Sequence, residues 1–184
     1  HYTYTYNSRG QLLSETRSPS QTTTRTIEYY ETTGTDYRIG DIYRITNALG
    51  HQTTFHEYNA NGYPERITDA NGVEILLDYD TRNRLTSQSV NGAVTTHQYD
   101  ENGNRIQSQL PNGVTVNYEY DTAHRLVGIE DSSGNSTEYE LDGEGNLLFE
   151  RIRDTNGTLT YVREQIMDAL SRVMQVKDGY GNTS

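Results

Sequence analysis

The side chains able to do chemistry are few and scattered. His51 and His56 lie five residues apart, which on one strand puts them on opposite faces, and His97 and His124 stand in separate stretches. A metal centre needs ligands that converge, so these read as ordinary strand and turn histidines. The chain has no cysteine, which removes disulfides, thiol catalysis and Cys-ligated metals together. Asp142-Gly-Glu-Gly-Asn146 opens like a calcium loop, but Arg153 stands where the closing bidentate glutamate belongs, so it reads as a turn. No Gly-x-Ser-x-Gly elbow, phosphate-binding loop or His-Glu-x-x-His helix occurs. Carboxylates are plentiful enough for a glycosidase pair, yet almost every aspartate has a role in a turn. The expectation is a non-enzyme with no catalytic, cofactor-binding or metal residue. Asn135-Ser-Thr137, Asn156-Gly-Thr158 and Asn182-Thr-Ser184 match the glycosylation sequon, which matters only in a secreted eukaryotic setting.

The turns that use these aspartates sit between short strands. Val114, Val116, Tyr118 and Tyr120 alternate with Thr115, Asn117, Glu119 and Asp121, the period-2 pattern of a strand with one face buried and one wet. Leu126 to Glu130 returns. Asp121-Thr-Ala-His124 and Asp131-Ser-Ser-Gly134 both place Asp first in a four-residue turn. There a carboxylate accepts the next backbone N–H groups, and the fourth residue adopts positive φ, cheap for Gly and tolerable for Asn or His.

That signature recurs from end to end. One family of turns is Asn7 to Gly10, Glu31 to Gly34, Asn59 to Gly62, Asp80 to Asn83, Asp100 to Gly103, Asp121 to His124, Asp142 to Gly145 and Asp168 to Ser171. A large residue precedes each: Tyr6, Tyr30, Tyr58, Tyr79, Tyr99, Tyr120, Leu141 and Met167. The second family falls between them, closing at Gln21, Gly50, Gly72, Gly92, Gly113, Gly134, Gly157 and Gly181, with Pro19 and Pro111 at the position that prefers φ near −65°. Self-similarity at roughly 21 residues marks a repeat architecture of about eight units over residues 1–184. The spacing predicts strands of about 6 or 7 residues in one long antiparallel meander, too wide to stay flat. Residues 11–50 and 142–168 break the rhythm and read as longer hairpins or bulged loops. Val162 to Arg172 stays on the repeat register rather than in a helix.

Composition agrees. Of 184 residues 32% are hydrophobic, with sixteen Tyr, two Phe, no Trp and a single lysine, Lys177, which favours strands over helices. The net charge of −11 argues against a nucleic-acid or anionic-membrane partner, because the fourteen Arg are scattered rather than clustered. No window approaches a membrane span, and His1-Tyr-Thr-Tyr lacks a signal-peptide layout. The chain starts within a repeat and reads as a fragment.

Tyr58-Asn-Ala-Asn-Gly62, Tyr99-Asp-Glu-Asn-Gly103, Tyr79-Asp80 with Arg84-Leu85, Tyr120-Asp121 with Arg125-Leu126, and Arg66-Ile-Thr-Asp-Ala-Asn-Gly72 resemble the YD repeats of the Rhs family. That family includes bacterial Rhs polymorphic toxins, the shell components of ABC-type insecticidal toxins, and teneurins. The resemblance covers essentially the whole chain. It departs at Leu141 and Met167, which replace Tyr, and at Asn83, His124 and Ser171, which replace Gly. It implies an all-β hairpin meander curving into part of a hollow shell that walls off a toxin polypeptide before delivery. The implied partners are the rest of the shell and that toxin, and the implied location is secreted or exported to the cell surface. The family's Asp-Pro self-cleavage site has no counterpart here, since the three prolines follow Ser, Tyr and Leu. The alternative is a teneurin-like adhesion module whose exposed Tyr and Arg rows bind glycans or protein. Unpaired terminal strands add an expectation of self-association through sheet edges.

Overall fold

A computed structural model describes residues 1–17, 23–168 and 170–179. The turn expected at Ser18 to Gln21, the closing Gly181 and the sequon at Asn182 lie outside these residues.

Every regular element among the described residues is a strand. In chain order they are β1 (Tyr2–Tyr6), β2 (Leu12–Arg17), β3 (Thr23–Tyr29), β4 (Ile42–Thr46), β5 (Gln52–Tyr58), β6 (Pro64–Thr68), β7 (Glu74–Tyr79) and β8 (Leu85–Val90). There follow β9 (Ala93–Tyr99), β10 (Arg105–Gln109), β11 (Thr115–Tyr120), β12 (Leu126–Asp131), β13 (Ser136–Leu141), β14 (Leu147–Arg153), β15 (Leu159–Met167) and β16 (Val173–Asp178). Each pairs with its neighbours in sequence, so the order across the sixteen-stranded sheet is the order along the chain. Connections this short leave no other antiparallel solution. The chain divides into two compact units, His1–Val94 and Thr95–Ser184.

Within the first unit one face carries an aliphatic and aromatic row, with Ile27 opposite Ile45, Phe55 opposite Ile67 and Ile67 opposite Ile75. The other face carries polar pairs. Thr26 meets Thr46, Thr54 meets Thr68, and the Arg44 guanidinium forks onto Glu28 through Nε and Nη2 at 2.8 and 2.7 Å. Within the second unit Tyr118, Ile129, Thr137, Ile152 and Tyr161 are successive cross-strand partners on one face. Glu119, Gly128, Glu138, Arg151 and Val162 run across the other.

Burial is shallow everywhere. Among the described residues only Ile27, Ser108 and Gly128 are buried. The cohesion of each unit therefore rests on ladder hydrogen bonds and on cross-strand pairs, each adding about 0.2–1 kcal/mol.

The irregular spans resolve in two ways. Residues 142–168 form a longer hairpin, since β14 has 7 residues and β15 has 9. Residues 30–41 form a compact loop. The expected turn at Glu31 to Gly34 is not made: the Gly34 N–H donates to the Tyr37 carbonyl at 3.0 Å, and the Tyr30 N–H reaches the Asp41 carbonyl at 2.9 Å. Gly34 is needed for a different reason from the one the repeat suggests. A Cβ there would stand 2.6 Å from the Tyr37 ring, which stacks on Tyr30 with centroids 3.7 Å apart.

Candidate functional site: the clamped turns

The residues that the repeat singles out converge on the bends. Four-residue turns starting at Asn7, Asn47, Asn59, Asp69, Asp80, Asp100, Leu110, Asp121, Asp131, Asp142, Asp154 and Asp168 share one pair of backbone hydrogen bonds. The fourth N–H donates to the first carbonyl, and the first N–H donates to the fifth carbonyl. At Asp121 these bonds are 3.0 and 2.9 Å. The first side chain adds a third and fourth: Asp121 Oδ1 accepts the N–H groups of Ala123 at 2.9 Å and Arg125 at 3.0 Å. The same two acceptances recur at Asn7, Asn47, Asn59, Asp69, Asp80, Asp131, Asp154 and Asp168. Leu110 starts the one such turn without this option, and there Asn112 Oδ1 accepts from Val114 instead.

These bonds hold the turn carboxylates in their charged form. The N–H of the fifth residue pulls Asp69, Asp80, Asp121 and Asp168 below the usual carboxylate range. At Asp131 and Asp142 the leading cause is the amide of Asn135 or Asn146. Both Asp142 oxygens are engaged by Asn146, at 2.8 and 2.7 Å, so the calcium-like stretch is a clamped turn.

The fourth position is left-handed throughout. Gly10, Gly50, Gly62, Gly72, Gly103, Gly113, Gly134, Gly145 and Gly157 have φ between 76° and 99°. Asn83, His124 and Ser171 replace glycine and still adopt φ of 60°, 62° and 57°. In those three turns the fifth residue is arginine, whose Nε binds the turn carboxylate: Arg84 to Asp80 at 2.7 Å, Arg125 to Asp121 at 2.6 Å and Arg172 to Asp168 at 2.7 Å. A charge-assisted bond thus accompanies each strained non-glycine residue and offsets its backbone cost.

The large residue before the turn sits at a register shift. Tyr120 opposes Leu126 while Glu119 opposes Gly128, leaving Val127 over, and the same one-residue bulge occurs at Tyr6, Tyr58, Tyr79, Leu141 and Met167. From that bulge the phenol reaches back across the preceding strand. Tyr58 donates to the Ile42 carbonyl at 2.6 Å, Tyr79 to Pro64 at 3.1 Å and Tyr120 to Arg105 at 3.0 Å. Each acceptor is the first residue of its strand, where the chain leaves the turn. In the third hairpin this role falls to Tyr29, which donates to Leu12 at 3.0 Å, and not to Tyr30 as the spacing predicts. Tyr30 instead reaches the Phe55 carbonyl at 2.7 Å. Burial raises the pKa of Tyr30, Tyr58 and Tyr79, keeping these phenols protonated. Tyr99 and Asp100 occupy the equivalent place before and in the turn that ends at Gly103.

Neighbouring turns along this edge also touch. Asn61 Nδ2 donates to Asn83 Oδ1 at 2.7 Å, Asn104 lies 3.0 Å from His124 Nδ1, and Arg125 Nη1 donates to the Asp142 carbonyl at 3.0 Å.

One turn follows another rule. The stretch Ser89 to Gly92 does not form a four-residue turn, because β8 continues through Val90. Asn91 and Gly92 alone make the bend, with φ of 50° and 83°, a two-residue hairpin of type I′. Three strand and turn histidines make local contacts: His56 with Thr68 at 2.8 Å, His97 with Ser108 at 2.9 Å and His51 with Asn47 at 3.4 Å. Among the described residues no three His, Asp or Glu side chains gather as a metal site, and no helix is long and apolar enough to cross a membrane.

Hairpins of this kind, each an Asx-clamped turn preceded by an anchoring large residue, define a tyrosine–aspartate repeat protein. Residues 79–115 and 120–159 match the family model of the RHS repeat. The fold is that of solved chains in three complexes. One contains TcdB2-TccC3 with Cdc42, at TM-score 0.74 and 16% identity, covering 96% of this chain and 10% of that one. A second contains TcdB2-TccC3, at TM-score 0.74 and 15% identity, covering 97% of this chain and 11% of that one. The third lacks the hypervariable C-terminal region of TcdB2-TccC3, with TM-score 0.64, 17% identity and coverage of 95% and 12%. The chain thus spans about a tenth of the length of these solved chains. No curated protein matches it.

Proposed function

We propose that this chain is a non-enzymatic length of wall in an Rhs-type toxin shell, one continuous repeat array that helps enclose a toxin polypeptide until delivery outside the producing cell. One observation carries the reading: bends and main-chain ladders hold each unit together, so neither face is given over to a buried core. A wall must expose one face to the lumen and one to the outside, and a protein that needed a dry interior could not do so. The turn residues from Asn7 to Asp168 are its structural determinants. The RHS-repeat matches over residues 79–115 and 120–159 and the fold shared with TcdB2-TccC3 chains support the shell role.

Cryo-electron microscopy of the full-length protein containing this segment tests the reading. Polypeptide density inside a closed compartment lined by these strands is the expected result. An empty compartment, or an array lying outside any closed wall and binding a glycan array instead, would replace encapsulation with adhesion.

A further inference from the structure

Six Asn-Gly pairs occur in the chain: Asn61-Gly62, Asn71-Gly72, Asn91-Gly92, Asn102-Gly103, Asn112-Gly113 and Asn156-Gly157. Five occupy the third and fourth positions of clamped turns. In each the glycine N–H is tied to the carbonyl of the turn's first residue, at 3.0 Å for Gly62, 3.1 Å for Gly72, 3.2 Å for Gly103, 2.9 Å for Gly113 and 2.9 Å for Gly157. Some of the asparagine amides are held as well, Asn61 by Asn83 at 2.7 Å and Asn112 by the Val114 N–H at 3.1 Å.

The sixth pair is built differently. Asn91 and Gly92 are the two central residues of a type I′ bend and both are exposed. In such a bend the hydrogen bond closes between the flanking residues, so the second central N–H points to solvent. The Gly92 N–H has no acceptor among the described residues, whereas the Asn91 N–H donates to the Glu74 carbonyl at 2.9 Å.

We propose that Asn91-Gly92 is a self-modification site, converting spontaneously to aspartate and isoaspartate while the other five pairs are protected by their turns. The Gly92 amide nitrogen gives its proton to solvent base and attacks Asn91 Cγ. The new N–Cγ bond closes a five-membered imide as Cγ–Nδ2 breaks, and Nδ2 leaves as ammonia after taking a proton from water. Water then opens the ring at Cγ, giving aspartate, or at the main-chain carbonyl carbon, giving isoaspartate. The net change is uptake of one water and loss of one ammonia, with no redox step. In the clamped turns the attacking nitrogen must first surrender its hydrogen bond, which slows the reaction about fivefold for one net bond and more where the whole turn must open. Isoaspartate routes the backbone through Cβ and Cγ, adding one atom and a negative charge to a two-residue bend joining β8 to β9.

The intact chain, incubated at mildly alkaline pH and digested for peptide mapping by mass spectrometry, tests this. Deamidation at Asn91 is expected at least about fivefold faster than at Asn61, Asn71, Asn102, Asn112 or Asn156. In denaturant strong enough to unfold the chain the six rates should converge, which assigns the difference to structure. Comparable rates at all six sites in the folded chain, or a faster rate at any clamped pair, overturns the proposal.

Discussion

A phenolic hydroxyl is the smallest unit on which the hairpins depend. Tyr120 donates to the Arg105 carbonyl, so Tyr120→Phe keeps the ring and deletes that one bond. A loss of about 1 kcal/mol in denaturant unfolding is expected. Tyr6 is 59% exposed and makes no such bond, so Tyr6→Phe should leave the midpoint unchanged. Equal effects of the two would mean that the phenol–carbonyl bond adds nothing to stability. Titration gives a second expectation. The turn aspartates have folded pKa values below their unfolded ones, so their contribution is present above about pH 4 and is lost as pH falls through the folded values. Tyr30, Tyr58 and Tyr79 are shifted upward, so their contribution is present below about pH 10 and is lost as pH rises through the folded values. The thermal midpoint measured across pH should be flat between about 5 and 9 and fall on both sides. The places of the tyrosines were legible as a recurrence, because each precedes an Asx turn. The use of their hydroxyls was not, because the acceptor lies some 15 residues upstream, at a carbonyl that a bulge alone brings within reach.

At the level of hairpins, the sequence marks the bends well because turn chemistry is local. Asp, Asn and Gly act on the next two to four residues, and the pattern can be read without knowing the partners. It fails where a stronger local rule competes. Asn91-Gly92 prefers a two-residue bend at positive φ, which overrides the four-residue frame that Ser89 would start. It fails again at residues 30–41, where Tyr37 stacking on Tyr30 organises a loop through contacts that no turn signal encodes. The arginines after Asn83, His124 and Ser171 are legible only afterwards, as substitutes for the missing glycine. Arg125 joins its own turn to the next, through Asp121 Oδ2 and the Asp142 carbonyl. Arg125→Ala should lower stability by about 1 kcal/mol, and Arg125→Lys should recover little of it, since an ammonium cannot span both acceptors as a planar fork does. Denaturation midpoints of the two variants give the comparison, and a lysine variant as stable as the parent would reduce the contact to simple charge.

For the molecule as a whole, strand order that equals chain order makes stability a sum of neighbour terms. A lesion should be felt by adjacent hairpins and fade with distance. Hydrogen exchange of Tyr120→Phe should therefore rise in β10 to β12 and stay at parental values in β3 to β6. A uniform rise across the chain would mean a single cooperative core, which the near absence of buried side chains argues against. The all-β class and the meander were legible because tight turns dictate antiparallel neighbours. The division at Val94 was not, since nothing in composition changes there.

Shallow burial has one more outcome. When fastening resides in bends and main-chain ladders, the outward residues of either surface are released from the work of holding the protein together. Their chemistry can be rewritten, acidic to basic or aromatic to small, while the scaffold persists.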